Sequence, residues 1–336
     1  MNKIAKTVLM TGTALCVAGV VLSTAGYFAG GKDFTYTSDH MYVSGGNSSS
    51  RKNLTVMKKE QIDDFTKLNV DFEDFDLDIC TSDDDHYYME YKLEKNGRKN
   101  PLTWKDKDGE LTLEEPAGCS GSYYITYDLG IFSTHADLTE KKDALNTVVL
   151  YIPEKAQLSE AELQLSDGDL TADQLLCKEM TLELLNGDLM LDKGEFEKFD
   201  AKLSDGDLNV KELQCTDNMQ LKSGNGDVTI KKAELADGQI ALSDGDLQID
   251  NGSFNGDMKI NSSCGDVSVE MKNGSVEKTN IYLKAADGDV DTEGLSRGKS
   301  DNEEDTSVYE NKASASAPTL NVKCSDGDIT LTESEK

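Results

Sequence analysis

The chain has 336 residues, and 64 Asp plus Glu against 34 Lys plus Arg give a formal net charge of −30. Such a surface repels nucleic acid, so no nucleic-acid partner is expected. Apolar residues make up 37% and fall in ordered patterns, which excludes a wholly disordered chain.

The first element is a membrane or targeting segment. Lys3 and Lys6 precede residues 7–31, which run without a charge from Thr7 to Gly31. About 20 apolar residues suffice to cross a bilayer. Positive charge before the run and acidic excess after it predict a single-pass cell-membrane protein. Residues 1–6 are then a cytoplasmic tail, residues 7–31 a transmembrane helix that contacts the membrane, and the rest lies outside the cell. The rival reading is a signal peptide cleaved at the small residues Ser23-Thr24-Ala25, which would make the protein secreted. Leu15 before Cys16 is too large for a lipidation site.

Residues 32–61 read as a linker, because "SGGNSSSRKN" at 44–53 has no apolar pattern. Order is expected from Ile62 to about residue 333. "LNVDFEDFDLDI" alternates apolar and polar, the period of a strand. "HYYMEYKLE", "GELTLEE" and "NTVVLYIPE" are further strands, and no segment past residue 60 has a long helical period.

A repeat dominates the remainder. Its glycines are Gly168, Gly187, Gly206, Gly226, Gly245, Gly265, Gly288 and Gly327, spaced 19, 19, 20, 19, 20, 23 and 39 apart. Around each, apolar residues recur seven and five before and two and four after, as in Phe199, Ala201, Leu208 and Val210 about Gly206. A coil of about 19–20 residues cannot bury its own apolar face, but stacked coils can. The fold class is therefore all-β, a β-solenoid spanning 62–333, preceded by the transmembrane helix. The polar, low-complexity stretch 293–318 accounts for the spacing of 39 and reads as an exposed loop insertion.

Nine residues after the glycine stand Cys177, Phe196, Cys215, Leu235 and Phe254. Cysteine alternating with bulky apolar residues marks an inward column of free, buried thiols. Cys177 and Cys215, two coils or about 9.6 Å apart, are too far for a bridge. Cys80 with Cys119 is the one pairing left open.

The residue before each glycine is Asp167, Asn186, Asp205, Asn225, Asp244, Cys264, Asp287 or Asp326, which an Asx-Gly turn explains. Asn between Asp relieves repulsion between stacked carboxylates and permits amide hydrogen bonds. The column after the glycine has no such relief: Asp169, Asp188, Asp207, Asp227, Asp246, Asp266, Asp289 and Asp328. Either each carboxylate caps N–H groups of its own turn, or the column gathers cations, calcium being the candidate. Calcium-binding solenoids use a nonapeptide, half this repeat, and no EF-hand spacing occurs. No cofactor and no firm metal site are expected.

Enzyme signals are thin. His40, His86 and His135 have no metal-ligand spacing, and there is no phosphate-binding loop. "DDDH" at 83–86 reads as an acidic turn rather than a metal site. Trp104, Tyr123, Tyr124 and Tyr127 read as core and sheet packing rather than a ligand surface.

The opening "LNVDFEDFDLDICTSDDD", the later "NTVVLYIPEKAQLSEAELQLSDGDL" and the run of Asx-Gly-Asp coils resemble the adhesin-like β-strand-repeat, or toastrack, family, a domain of unknown function. The resemblance covers about residues 62–333 and implies a surface-exposed, membrane-tethered solenoid; some relatives are associated with envelope stress. It carries no catalytic residues. The expected function is a non-enzymatic cell-envelope scaffold or interaction module, with envelope proteins or cell-wall polymer as partners and no small-molecule substrate. The alternatives are a calcium-stabilised surface adhesin and a carbohydrate-active β-helix enzyme. Converging carboxylates in one groove would mark the latter.

Overall fold

The computed structural model describes residues 34–36, 41–43, 54–95, 98–116, 125–127, 145–292, 295, 298–303 and 306–335. They fall in two compact units. The smaller contains a three-stranded antiparallel sheet of Met41–Val43, Phe34–Tyr36 and Ile125–Tyr127. The larger is the repeat region with the strands that precede it. No helix of the described residues is long and apolar enough to cross a membrane. The segment 7–31 lies outside the described residues.

The larger unit is the expected stack of coils. Leu170–Asn186, Leu189–Asp205 and Leu208–Asn225 pair in parallel along their length, with Leu182, Ala201 and Leu221 in one column and Leu170, Leu189 and Leu208 in another. Burial within a coil explains why one strand can bend around it. In the Gly206 coil, Phe199, Ala201 and Leu203 face inward, then Leu208 and Val210, then Leu213 and Cys215. Alternation holds inside each run and breaks between them, so three inward runs enclose the core.

The cysteine column is internal as expected: Cys177 and Cys215 are buried free thiols with Phe196 paired between them. Burial pushes the Cys177 thiol up to about 12, so it is inert. Cys264 stands in the turn column, where the repeat places it, and is exposed. Cys119 lies outside the described residues.

A further inward column stands two residues earlier: Leu175, Gly194, Leu213, Ala233 and Gly252 pair in that order. The two columns compensate. Phe196 and Phe254 accompany Gly194 and Gly252, Cys177 and Cys215 accompany Leu175 and Leu213, and Leu235 accompanies Ala233. A Cβ on Gly194 would lie 2.6 Å from the Phe196 ring. Each coil thus fills a similar volume by different means, as close packing requires.

Order begins before the expected start at Ile62. Leu54–Ile62, inside the presumed linker, is a nine-residue strand paired with Tyr87–Glu94. Its side chains are mostly exposed, which hid it from an apolar-period reading. A cation–π contact contributes instead: Lys59 Nζ stands 3.6 Å from the Tyr151 ring centroid and 5.0 Å from that of Tyr88.

The C-terminal end departs from sequence order. Thr319–Asp326 lies between Met258–Cys264 and Asn280–Asp287, parallel to both. Ile329–Glu333 likewise lies between Val267–Met271 and Val290–Asp291. The Gly327 coil is therefore interposed between the Gly265 and Gly288 coils. The spacing of 23 between Gly265 and Gly288 now has a reason: the added residues carry the chain past a skipped rung. The expected exposed loop 293–318 also needs correction. Lys299–Glu303 and Thr306–Asn311 form an antiparallel hairpin, and the second strand pairs with Asn280–Asp287. Its inward side chains are Ser307, Tyr309 and Asn311. Two of these three are polar, which disguised the period. Asn311 Nδ2 donates to the carbonyls of Val276 at 2.9 Å and Thr279 at 3.2 Å, so its burial is satisfied.

Candidate functional site

The turn corners hold the residues singled out from the sequence. In the column before the glycine, Asn186 Nδ2 donates to Asp167 Oδ1 at 2.7 Å and Asn225 Nδ2 to Asp205 Oδ1 at 2.6 Å. The Asp/Asn alternation is thus a set of amide–carboxylate pairs between coils.

The undiluted column resolves into a ladder. Each aspartate donates its backbone N–H to the Oδ1 of the aspartate one coil back. Asp169 donates to Asp76 at 3.0 Å, Asp188 to Asp169 at 2.9 Å, Asp207 to Asp188 at 2.8 Å and Asp227 to Asp207 at 2.8 Å. Asp246 donates to Asp227 at 2.9 Å and Asp266 to Asp246 at 2.7 Å. The interposed coil keeps the series: Asp328 donates to Asp266 and Asp289 to Asp328, both at 2.8 Å. The carboxylates therefore cap N–H groups, but those of the neighbouring coil rather than of their own turn.

Magnitudes explain why the column is all aspartate. Carboxylates about 4.8 Å apart repel by about 0.9 kcal/mol in water. A hydrogen bond to a charged acceptor contributes about 1.5–3 kcal/mol net and more than replaces that loss. The backbone N–H at the corner also gains an acceptor that the sheet does not provide there.

Glycine completes the corner for a reason beyond its turn. Gly206, Gly226, Gly245, Gly265, Gly288 and Gly327 have φ between +111° and +156°, whereas Gly168 and Gly187 do not have positive φ. Close approach is common to all eight. A Cβ would lie 2.0–2.4 Å from a backbone carbonyl oxygen of the preceding rung. On Gly206 it would also stand 3.2 Å from Asp188 Oδ1, in the path of the ladder.

Three parts of this site escaped the sequence reading. The first rung is Asp76, with Phe75 in the place of glycine. Leu68, Val70, Phe72, Leu77 and Ile79 keep the offsets of a coil and pair in register with Ala161, Leu163, Leu165, Leu170 and Ala172. Those offsets were readable; the missing glycine concealed them. The second is Glu115, whose Oε2 accepts the N–H groups of Glu73 at 2.9 Å and Asp74 at 2.8 Å. The third is a short second ladder eight residues before the glycines, where Asp257 donates to Asp237 Oδ1 at 2.6 Å and Thr319 to Asp257 Oδ1 at 3.0 Å. Earlier in that column the contacts are ion pairs, Lys67–Glu160 at 2.7 Å and Lys198–Glu179 at 2.8 Å. Both are half-exposed and contribute little individually.

Asp76 is half-buried. Burial, and secondarily the Asp169 charge, raise its carboxyl above the usual range, although the Asp169 N–H opposes the shift. A raised carboxyl stabilises the fold fully below the unfolded value and loses that contribution as pH rises through the folded one. Asp76→Asn keeps the Oδ1 acceptor and removes the charge. It is expected to match the parent near pH 3 and to melt higher at pH 7. Asp76→Ala leaves the Asp169 N–H without an acceptor and should cost about 1–2 kcal/mol at both pH values. Thermal melts of the three chains check the order; an Asn variant as damaged as Ala would refute the ladder role.

The remaining candidates separate clearly. "DDDH" is the acidic turn expected between Asp76–Ser82 and Tyr87–Glu94. Asp84 organises it, accepting from the Tyr88 hydroxyl at 2.8 Å and the His86 N–H at 2.9 Å. The Tyr88 bond first, then that N–H, holds its carboxyl below the usual range. Trp104 lies on the strand Thr103–Lys107, 37% exposed, rather than in the core. Tyr123 and Tyr124 lie outside the described residues, as do His40 and His135. Among the described residues no group of three His, Cys, Asp or Glu is placed to hold a metal ion.

The family model described as Toastrack DUF4097 matches residues 65–332. Comparison with curated proteins finds no match. Among solved structures, the chain is similar to a candidate adhesin from Parabacteroides merdae, at 15% identity over 86% of this chain and 98% of that one, with a TM-score of 0.48. It is also similar to a candidate adhesin from Bacteroides fragilis, at 13% identity, 84% and 98% coverage and a TM-score of 0.40. A candidate lipid-binding protein from Parabacteroides distasonis matches at 12% identity, 86% and 98% coverage and a TM-score of 0.46.

Proposed function

The chain belongs to the Toastrack DUF4097 family, and from that premise we propose that it is a non-enzymatic interaction module of the cell envelope, tethered to the membrane by residues 7–31 and presenting its coils to envelope proteins or cell-wall polymer. The observation that carries this reading is how the corner carboxylates are used. Their Oδ1 atoms are spent on stacking, rung after rung, instead of converging on one reacting position. The coils thereby repeat one outward surface along the stack, which suits an extended partner. The charge pattern about residues 7–31 supports the tether.

External protease added to wall-stripped cells should degrade the repeat region and spare a tag on residue 1; a protected repeat region would sink the topology. Cross-linking in intact cells should join the chain to an envelope protein or to wall polymer. Glycan cleavage by the purified chain would refute the non-enzymatic reading in favour of the β-helix enzyme.

The same ladder bears on the calcium-stabilised alternative. Raising NaCl from 10 to 150 mM shortens the screening length from about 30 to 8 Å and relieves repulsion along the column. The melting temperature is expected to rise by a few degrees. Calcium at equal ionic strength should add nothing, and chelator should subtract nothing. A calcium-specific rise would establish the adhesin alternative.

A further inference from the structure

The interposed coil is joined to the strand before it by an arched connection. Thr306–Asn311 and Thr319–Asp326 pair with opposite edges of Asn280–Asp287, so their strands lie about 9.6 Å apart. The seven residues 312–318 arch over the beginning of Asn280–Asp287 to join them. Asn280 latches this arch. Its Nδ2 donates to the carbonyls of Ser314 at 2.8 Å and Ala317 at 3.1 Å, and its Oδ1 accepts the Ala313 N–H at 3.0 Å. An open cleft of about 510 Å³ adjoins the arch, lined by Ile281, Tyr282, Asn311, Ala313 and Thr319, among others. Ser314, Ala315 and Ser316 of the arch are exposed.

The segment beyond the arch is the opposite in character. Leu320, Val322, Cys324, Ile329 and Leu331 are each no more than 2% exposed, and the backbone pairs on both sides. Without this segment, the Gly265 and Gly288 coils would face each other across a slot one strand wide. The slot is complementary to this segment in register, apolar columns and ladder aspartate. Two copies of the chain carry identical slots and identical segments.

We propose that residues 319–333 are an exchangeable strand pair, donated between two copies of this chain when the Asn280 latch opens. Every contact of the inserted segment is the same whether it enters its own slot or a neighbour's. Only the arch differs, since it must extend to reach the second copy. Seven extended residues reach at most about 25 Å, so the copies exchange side by side at this end of the stack. In one chain the short arch holds the segment at a high effective concentration, which favours self-insertion. The latch bonds belong to that closed form alone, so losing them shifts the balance toward exchange.

The test uses the full chain in detergent, with a specific protease site replacing Ser314-Ala315-Ser316, in parent and Asn280→Ala forms. One portion of each is 15N-labelled, mixed with unlabelled chain at high concentration and sized by light scattering. Asn280→Ala should raise the dimer association constant by at least about tenfold, from the loss of the side-chain latch. Cutting the arch should then split the dimer into monomers, some carrying a tail of the other isotopic mass by native mass spectrometry. A dimer joined by any other surface would survive the cut with its own tails, and this would overturn the proposal. So would Asn280→Ala chains that stay monomeric. Should Asn280→Ala not fold, Asn280→Asp keeps the acceptor for Ala313 and loses the two donated bonds, with the same expected direction.

Discussion

Gly187→Ala is expected to destabilise the protein by about 3 kcal/mol or more, whereas Gly274→Ala should cost only about 1 kcal/mol. Backbone torsion alone predicts the reverse. Gly274 has φ +76°, which an alanine dislikes, while Gly187 does not have positive φ. Space reverses the order. Nothing lies within 4 Å of a Cβ on Gly274, but a Cβ on Gly187 would lie 2.1 Å from the Gly168 carbonyl oxygen. Neither atom can yield cheaply, because both belong to backbone tied into coils on each side. Asp188 would lose its acceptor geometry as the rungs separated, so the damage would spread to the ladder. Denaturant midpoints at unchanged slope measure the two costs. Equal costs, or a larger one at Gly274, would mean that turn conformation and not rung-to-rung contact selects glycine at the corner.

The same distinction shows what could be read from the residues and what could not. The apolar columns were legible because burial in a stack imposes one residue class per position, and Leu182, Ala201 and Leu221 obey it. Asp207 was legible as special but not as a donor and acceptor at once, since its N–H and its Oδ1 serve different neighbours. A column shows which residues are equivalent; it does not show that bonds run one rung back. Stack order was hidden for a related reason. Leu320 and Val322 satisfy the columns equally well beside Ile260 or beyond Leu283, so their pattern cannot tell the sixth rung's neighbour from the last rung. Only the spacings of 23 and 39 hinted at a skipped position. Leu54–Ile62 was missed because its strand is exposed and helped by Lys59 over Tyr151, an interaction without a period.

The paired inner columns carry the other large expected effect. Gly194→Leu would force a side chain into the Phe196 ring and the Leu191 side chain, 2.6 and 2.8 Å from its Cβ. In a buried coil this overpacking should cost about 3 kcal/mol. Phe196→Cys leaves a cavity where a fully buried ring stood and should cost about 3–5 kcal/mol. Together, however, the two changes write into the Gly187 coil the Leu–Cys pair that Leu175 with Cys177, and Leu213 with Cys215, already use on either side. The double variant is therefore expected to lose only about 1–2 kcal/mol, a coupling of about 4–7 kcal/mol between the two positions. Chemical denaturation of the parent, both single variants and the double closes that cycle. Additive losses would mean that each column is packed against its neighbours along the stack, and that the volume rule inside a coil is coincidence. A large coupling would make volume per coil the quantity the core conserves, and would account for cysteines that form no bridge and sit where burial makes them inert.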